Sequence, residues 1–201
     1  MRIIAGKWGG RRLKSPTGID TRPTSDRMRE SLFSSLHSRI GSFEGLRVLD
    51  AFAGSGALGL EALSRGAAFL VMAERDQKAC QVIEENLTGL QGTSQNHNGA
   101  RSVVKDDHFH LYRGDIFKIV PHLANLRIDL AFFDPPYALE SENIQRLLLQ
   151  LAEAKTFSCG ALIVVERAKT LQEESLLPDG FVQLDVKTKG DTTLYFARYN
   201  L

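Results

Sequence analysis

Cysteine is scarce: Cys80 and Cys159 are the only two among 201 residues. Two cysteines exclude a disulfide framework and a cysteine-rich zinc site, and they fit a reducing, cytoplasmic setting. Neither carries a local cue for a thiolate, which sets aside chemistry that runs through a cysteine nucleophile. Long apolar runs are also missing. The longest, such as Ala161–Val165, are strand-length and do not reach the span of a bilayer. At the N-terminus the only apolar run is Ile3-Ile4-Ala5, too short for a secretory leader. The five histidines show no ligand spacing: His37, His97 and His122 are scattered. His108 and His110, beside Asp106 and Asp107, read as a polar loop, so no metal is expected.

What is present suits one globular domain: 43% apolar and 24% charged residues, with enough chain to bury a core unaided. The net charge of +1 hides an asymmetry. Residues 1–40 carry nine Lys/Arg against three acids, a net +6, and leave the other 161 residues at −5. A basic arm on a mildly acidic body fits either a polyanionic partner or a solvated surface extension. The chain reads as a single domain over 1–201, with a hairpin-and-helix extension (1–40) and a core (45–201). No repeat and no dimer seam is visible, so a monomer is expected.

In the arm, Arg2–Ala5 and Arg11–Lys14 read as a hairpin turned by Gly6, Gly9 and Gly10. Thr24 suits a helix N-cap, and Met28, Leu32, Leu36 and Ile40 recur every four residues, giving a helix of about four turns. From Arg47 onward strands and helices alternate. Strands are expected at Val48–Phe52, Phe69–Glu74, His110–Arg113, Ile128–Phe133, Ala161–Glu166, Phe181–Lys187 and Thr193–Tyr199. Helices are expected at Leu58–Arg65, Gln77–Leu90, Phe117–Leu123, Asn143–Ala154 and, more weakly, Thr170–Leu176. Such alternation predicts an α/β, Rossmann-like fold. Its seven-stranded sheet is mostly parallel with helices on both faces. The tight connection at Gly190-Asp191 makes the last strand antiparallel. Gln91–Asp107 reads as a polar surface loop.

The stretch Val48 to Gly59 (VLDAFAGSGALG) is a strand, a tight turn and a helix start. Gly54, Gly56 and Gly59 spell G-x-G-x-x-G, by itself a weak sign of dinucleotide binding. Glu74 ends the second strand, where an acid can accept both hydroxyls of a ribose. Asp50 decides between cofactors. A carboxylate at this strand end suits the sulfonium and ammonium of S-adenosylmethionine and sits badly beside a pyrophosphate. Phe52 and Arg75 flank these positions and join the candidate set. Asp115 fits either a bond to an adenine amino group, with Ile116 on the ring, or a plain helix cap.

Asp134-Pro135-Pro136-Tyr137 follows the fourth expected strand. The prolines hold the chain open, so the Asp134 carboxylate and the Pro135 carbonyl can converge on one amino group. An exocyclic base amine is a poor nucleophile because its lone pair is delocalised into the ring. Two acceptors on its hydrogens free that lone pair, and the gain comes from positioning and preorganised charge. Tyr137 is placed to stack on a base swung out of its helix or loop.

In order and content, Asp50–Gly59, Glu74, Gly114-Asp115 and Asp134–Tyr137 resemble class I methyltransferases acting on exocyclic amines. Arg2-Ile3-Ile4-Ala5-Gly6-Lys7, Gly10-Arg11-Arg12-Leu13 and Arg22 to Phe33 (RPTSDRMRESLF) resemble the bacterial ribosomal small-subunit methyltransferase D family, over nearly the whole chain. That resemblance implies S-adenosylmethionine as cofactor and N2 of a guanine in 16S rRNA as target, met within a small subunit or an assembly intermediate. It implies Thr24 against the cofactor's methionine end, and RNA contacts from Arg2, Lys7, Arg11, Arg12, Lys14 and Arg22. Trp8 either stacks on a nucleotide or anchors the hairpin. The Gln91–Asp107 loop is longer than the family's usual connection. Because Asp-Pro-Pro-Tyr also occurs in adenine-N6 enzymes, an adenine-N6 methyltransferase stays open, as does a non-catalytic RNA-binding assembly factor. A nicotinamide dehydrogenase is the fourth reading.

Overall fold

Apolar strands that must hide both faces need helices on either side, and this chain supplies them in alternation. The computed structural model describes residues 1–16, 26–91, 103–105, 107–169 and 176–201. The elements run α1 (Asp26–Ile40), β1 (Arg47–Asp50), α2 (Ala57–Ser64), β2 (Phe69–Glu74), α3 (Gln77–Gln91), β3 (Val103–Lys105) and β4 (Phe109–Arg113). Then come α4 (Ile116–Ile119) with a 3-10 turn (Val120–Leu123), β5 (Ile128–Phe133), α5 (Ser141–Glu153), β6 (Phe157–Ala168), β7 (Phe181–Lys189) and β8 (Thr192–Tyr199). Thr24 and Arg22 lie outside the described residues, as does nearly all of the weak helix expected at Thr170–Leu176.

The strands form one sheet in the order β3-β4-β2-β1-β5-β6-β8-β7. β4, β2, β1, β5 and β6 are parallel neighbours, and β8 runs antiparallel to both β6 and β7. The expected seven strands are all present, and an eighth, β3, adds an antiparallel edge beside β4. It falls inside the stretch expected to be loop. Three residues pairing with a neighbour carry too little periodicity to register as a strand. β6 also starts four residues earlier than expected. Ile128 pairs with Phe157 and Leu130 with Leu162, so the strand carries an irregularity that hides its first turn of pairing.

Successive strand residues face opposite sides, and each side has its own core. Val48, Leu70, Met72, Leu130, Phe132, Leu162 and Val164 face α1, α2 and α3, where Leu32, Phe33, Leu36, Leu60, Leu63, Ile83 and Leu87 are buried. Leu49, Val71, Ala131, Phe133, Ile163 and Val165 face the 3-10 turn and α5, including Leu123, Ile144, Leu147, Leu148 and Leu151.

The N-terminal hairpin is shorter than expected: one antiparallel bridge, Arg2 to Arg12, with no extended strand. Beside its own internal hydrogen bonds it makes a second set to α2. Lys7 N–H donates to Ser64 O at 2.7 Å, and the Ser64 hydroxyl donates to Ala5 O at 2.6 Å. The amides of Ile4 and Ala5 donate to the buried Glu61 carboxylate at 2.7 and 3.0 Å. Gly6 has φ +85°, and a Cβ there would sit 1.8 Å from Ser64 O. The arm is thus clamped to the helix that follows the glycine loop.

Candidate active site

Parallel strands end at one rim of the sheet, and open α/β sheets gather ligands there. Four of them end in carboxylates: Glu74 on β2, Asp50 on β1, Asp134 just after β5 and Glu166 near the end of β6. Alternation puts all four on the side of α1 and α2, because Asp50 pairs with Phe132 and Met72, and Phe133 with Val165. They line one cavity of about 610 Å³, a size suited to a nucleoside-bearing ligand.

Asp50 is 1% exposed. Its Oδ2 accepts the Gly59 amide at 3.0 Å, which ties strand end to helix start. Its Oδ1 is buried with no hydrogen-bond partner among the described residues. Burial pushes this carboxyl up to about 7, against the Gly59 amide, and the neighbouring Asp134 and Glu74 charges add to the rise. The Phe52 amide also opposes the rise, and a carboxyl in the cavity wall with one unpartnered oxygen is chemically suited to a cationic ligand end.

Between Asp50 and α2 the chain turns at Gly54, with φ +54° and open space where a Cβ would project. Glu74 holds this turn: its Oε2 accepts the Gly54 amide at 2.7 Å and its Oε1 the Asp76 amide at 2.7 Å. Each oxygen keeps a lone pair for a hydroxyl donor. Gly59 serves packing, since a Cβ there would lie 2.7 Å from Leu70. Gly56 does not reach the cavity wall; its missing Cβ would face Ile83, Leu60 and Met72, and it starts α2 from a left-handed conformation.

Phe52, Arg75, Asp115 and Ile116 all line the cavity. Asp115 does cap α4, accepting from Phe117 N–H at 3.0 Å. Past β5, Asp134 is partly buried, Pro135 is buried and Pro136 is exposed, with Tyr137 51% exposed at the mouth. Burial pushes Asp134 up to about 6. Among the described lining residues, six carboxylates (Asp50, Glu74, Asp76, Asp115, Asp134, Glu166) face two guanidinium groups, Arg29 and Arg75. Such a cavity favours a cation and disfavours a pyrophosphate. The donor set therefore fits S-adenosylmethionine: Asp50 could take the ammonium end, Glu74 the ribose, and Phe52 and Ile116 the adenine.

Sequence reasoning missed several wall residues, Arg29, Met1 and Glu166 among them. Arg29 is fully buried on α1, where its guanidinium donates to the Asp26 carboxylate at 2.9 Å and to the Arg2 carbonyl. Met1 lines the cavity, its Sδ near the Ser55 hydroxyl. Glu166 stands beside Asp134. Arg29 was legible only as one charge among many, and Glu166 sits in an apolar strand with no motif around it.

The basic arm is partly committed to the fold. Arg11 donates to Leu90 O at 2.7 Å, closing the end of α3; Lys14 pairs with Glu85 at 2.8 Å and Arg2 with Asp26 at 3.5 Å. Lys7 and Arg12 are exposed. Trp8 is only 9% exposed within the core, with Lys7 Nζ 4.3 Å above its ring. Of its two readings the structure takes the anchor, because a ring packed on the body offers no face to a base.

The model of the family described as conserved hypothetical protein 95 matches residues 1–198. The putative rRNA methyltransferase YlbH of Bacillus subtilis is 34% identical over 174 residues, covering 86% of this chain and 85% of that protein. The ribosomal RNA small subunit methyltransferase D of Haemophilus influenzae is 33% identical over 190 residues, covering 94% and 89%. Among solved structures, the putative methyltransferase yhhF of Escherichia coli superposes with a TM-score of 0.76 at 30% identity, covering 100% of this chain and 98% of that one.

Proposed function

As this chain belongs to the family of the ribosomal RNA small subunit methyltransferase D proteins, we propose that it methylates the exocyclic N2 amine of a guanine in small-subunit rRNA. The methyl donor is S-adenosylmethionine, and the coarser activity, rRNA methylation, is the one its relatives' names carry. The observation that supports the reading best is the pairing of strand ends. The cation seat at Asp50 and the acceptors at Asp134 and Pro135 stand on adjacent strands, β1 and β5, in one cavity.

S-adenosylmethionine, when bound, supplies a methyl group on a cationic sulfur that leaves with the bonding electrons. Asp50 neutralises the donor's ammonium, and Glu74 accepts from its ribose. Phe52 and Ile116 offer apolar surface to the adenine, and Arg75 and Asp115 flank it. At the other end Asp134 and the Pro135 carbonyl hold the amine's two hydrogens, leaving the nitrogen lone pair directed at the methyl carbon. Pro136 keeps the turn open, and Tyr137 covers the face of the base. Thr24, outside the described residues, belongs on the methionine side. Lys7 and Arg12 meet phosphates from the exposed face of the arm, joined by Arg2, Arg11, Lys14 and Arg22 where RNA competes with their partners. We place the enzyme in the cytoplasm as a monomer; no helix among the described residues is long and apolar enough to cross a membrane.

Asp134→Ala tests the amine grip. Cofactor affinity, measured by calorimetry, should stay within about twofold of wild type, while turnover falls by about 10²–10³. An active Asp134→Ala enzyme contradicts the assignment.

A further inference from the structure

Glu166 has no place in the mechanism so far, yet it sits in the same cavity wall. It follows Val165, which pairs with Phe133, the residue before Asp134, so the two acids come just past the last paired residues of neighbouring parallel strands, close enough for the Asp134 charge to act on Glu166. Glu166 is 8% exposed. The groups around it are Asp134 from β5, the Thr192 hydroxyl from β8, and, lining the same cavity, Arg29 from α1 and Asp50 from β1. A stable fold gains nothing from setting a buried carboxylate beside a partly buried one; they repel, and both lose hydration. Burial pushes Glu166 up to about 8, and the Asp134 charge adds to the rise. Burial raises both carboxyls, and the Asp134 charge raises Glu166 further, so protonation of the pair competes with a donor-rich ligand.

Purine edges differ where it matters. Beside its exocyclic amine guanine carries a ring N–H, a second donor, whereas adenine carries a bare ring nitrogen, an acceptor. Resting on the reading of the site as a base-amine methyltransferase, we propose that Glu166 is a specificity-determining residue. It accepts the ring N–H of guanine while Asp134 accepts the amine, so that the two acids together read a donor–donor edge and reject adenine. Once ionised, Glu166 places an anion against adenine's acceptor nitrogen, which is the rejecting element.

The test uses small subunits reconstituted with rRNA carrying either guanine or adenine at the nucleotide that the wild-type enzyme labels. The kcat/KM ratio for the two is compared across wild type, Glu166→Ala and Glu166→Gln. The inference expects Glu166→Ala to lower kcat/KM on guanine by about 10- to 100-fold and to leave adenine unchanged or improved. Glu166→Gln, which keeps an acceptor oxygen but loses the charge and gains an N–H donor, should retain most of the guanine activity and lose the rejection of adenine. In wild type the KM for guanine should fall as pH rises toward 8, and in Glu166→Gln the fall above pH 7 should be much smaller. Equal losses on both substrates would mark a structural role and overturn the inference, as would an unchanged ratio. Labelling of no rRNA by wild type would overturn the proposed function and this inference with it, whereas wild-type labelling with an unchanged ratio overturns this inference alone.

Discussion

Asp50 shows how one side chain serves fold and function at opposing energies. Its Oδ2 caps the start of α2 through Gly59, while its Oδ1 is left without a protein partner. The carboxyl is pushed up from 3.8 to about 7, so the folded protein binds a proton there that the unfolded chain has released. Stability therefore falls as pH climbs from about 4 toward 7 and levels off above. Asp50→Asn keeps the Gly59 bond and removes the ionisation. We expect its melting temperature to exceed that of wild type by a margin that grows over this window and is largest above pH 7. Its affinity for S-adenosylmethionine should fall about 10- to 100-fold, the worth of a charge-assisted bond. A melting temperature equal to wild type at pH 8 would show that burial of the charge is not the cost inferred. Asp50, Glu74 and Asp134 were legible in the sequence because each sits beside a turn motif at a strand end. Glu166 was not, because its meaning depends on the register of β6 against β5, and register is a tertiary fact.

Among the elements, the hairpin on α2 illustrates what periodicity misses. The sequence predicts two strands; the chain makes one bridge and sends the amides of Ile4, Ala5, Lys7 and Trp8 to Glu61 and Ser64. Trp8 is part of this clamp, its amide donating to the Ser64 hydroxyl at 3.0 Å. Gly6 is the point of closest approach. Gly6→Ala forces a Cβ onto the Ser64 carbonyl and a side chain into left-handed backbone. Thermal unfolding should show a loss of about 2–4 kcal/mol, and an unchanged melting curve would mean the hairpin is not docked as described. The helices with strong four-residue spacing were legible to within about two residues. β3 was not, because it exists only by pairing with β4.

Across the whole molecule, charge and topology point the same way. The parallel order β4-β2-β1-β5-β6 collects acids at one rim, which makes a cation-favouring cavity, while the first 40 residues carry net +6. The fold class was legible because alternation of strand and helix leaves few topologies open. Which exposed cations of the arm are paired to the body was not, since Arg11 and Lys14 look in sequence like Lys7 and Arg12. The most direct measurement offers radiolabelled S-adenosylmethionine and the wild-type protein to small ribosomal subunits lacking the modification, to protein-free rRNA and to DNA, then digests the products to nucleosides. The account predicts label in small-subunit rRNA, recovered as N2-methylguanosine and absent from DNA. Label recovered as N6-methyladenosine, or no transfer to any rRNA, would contradict it.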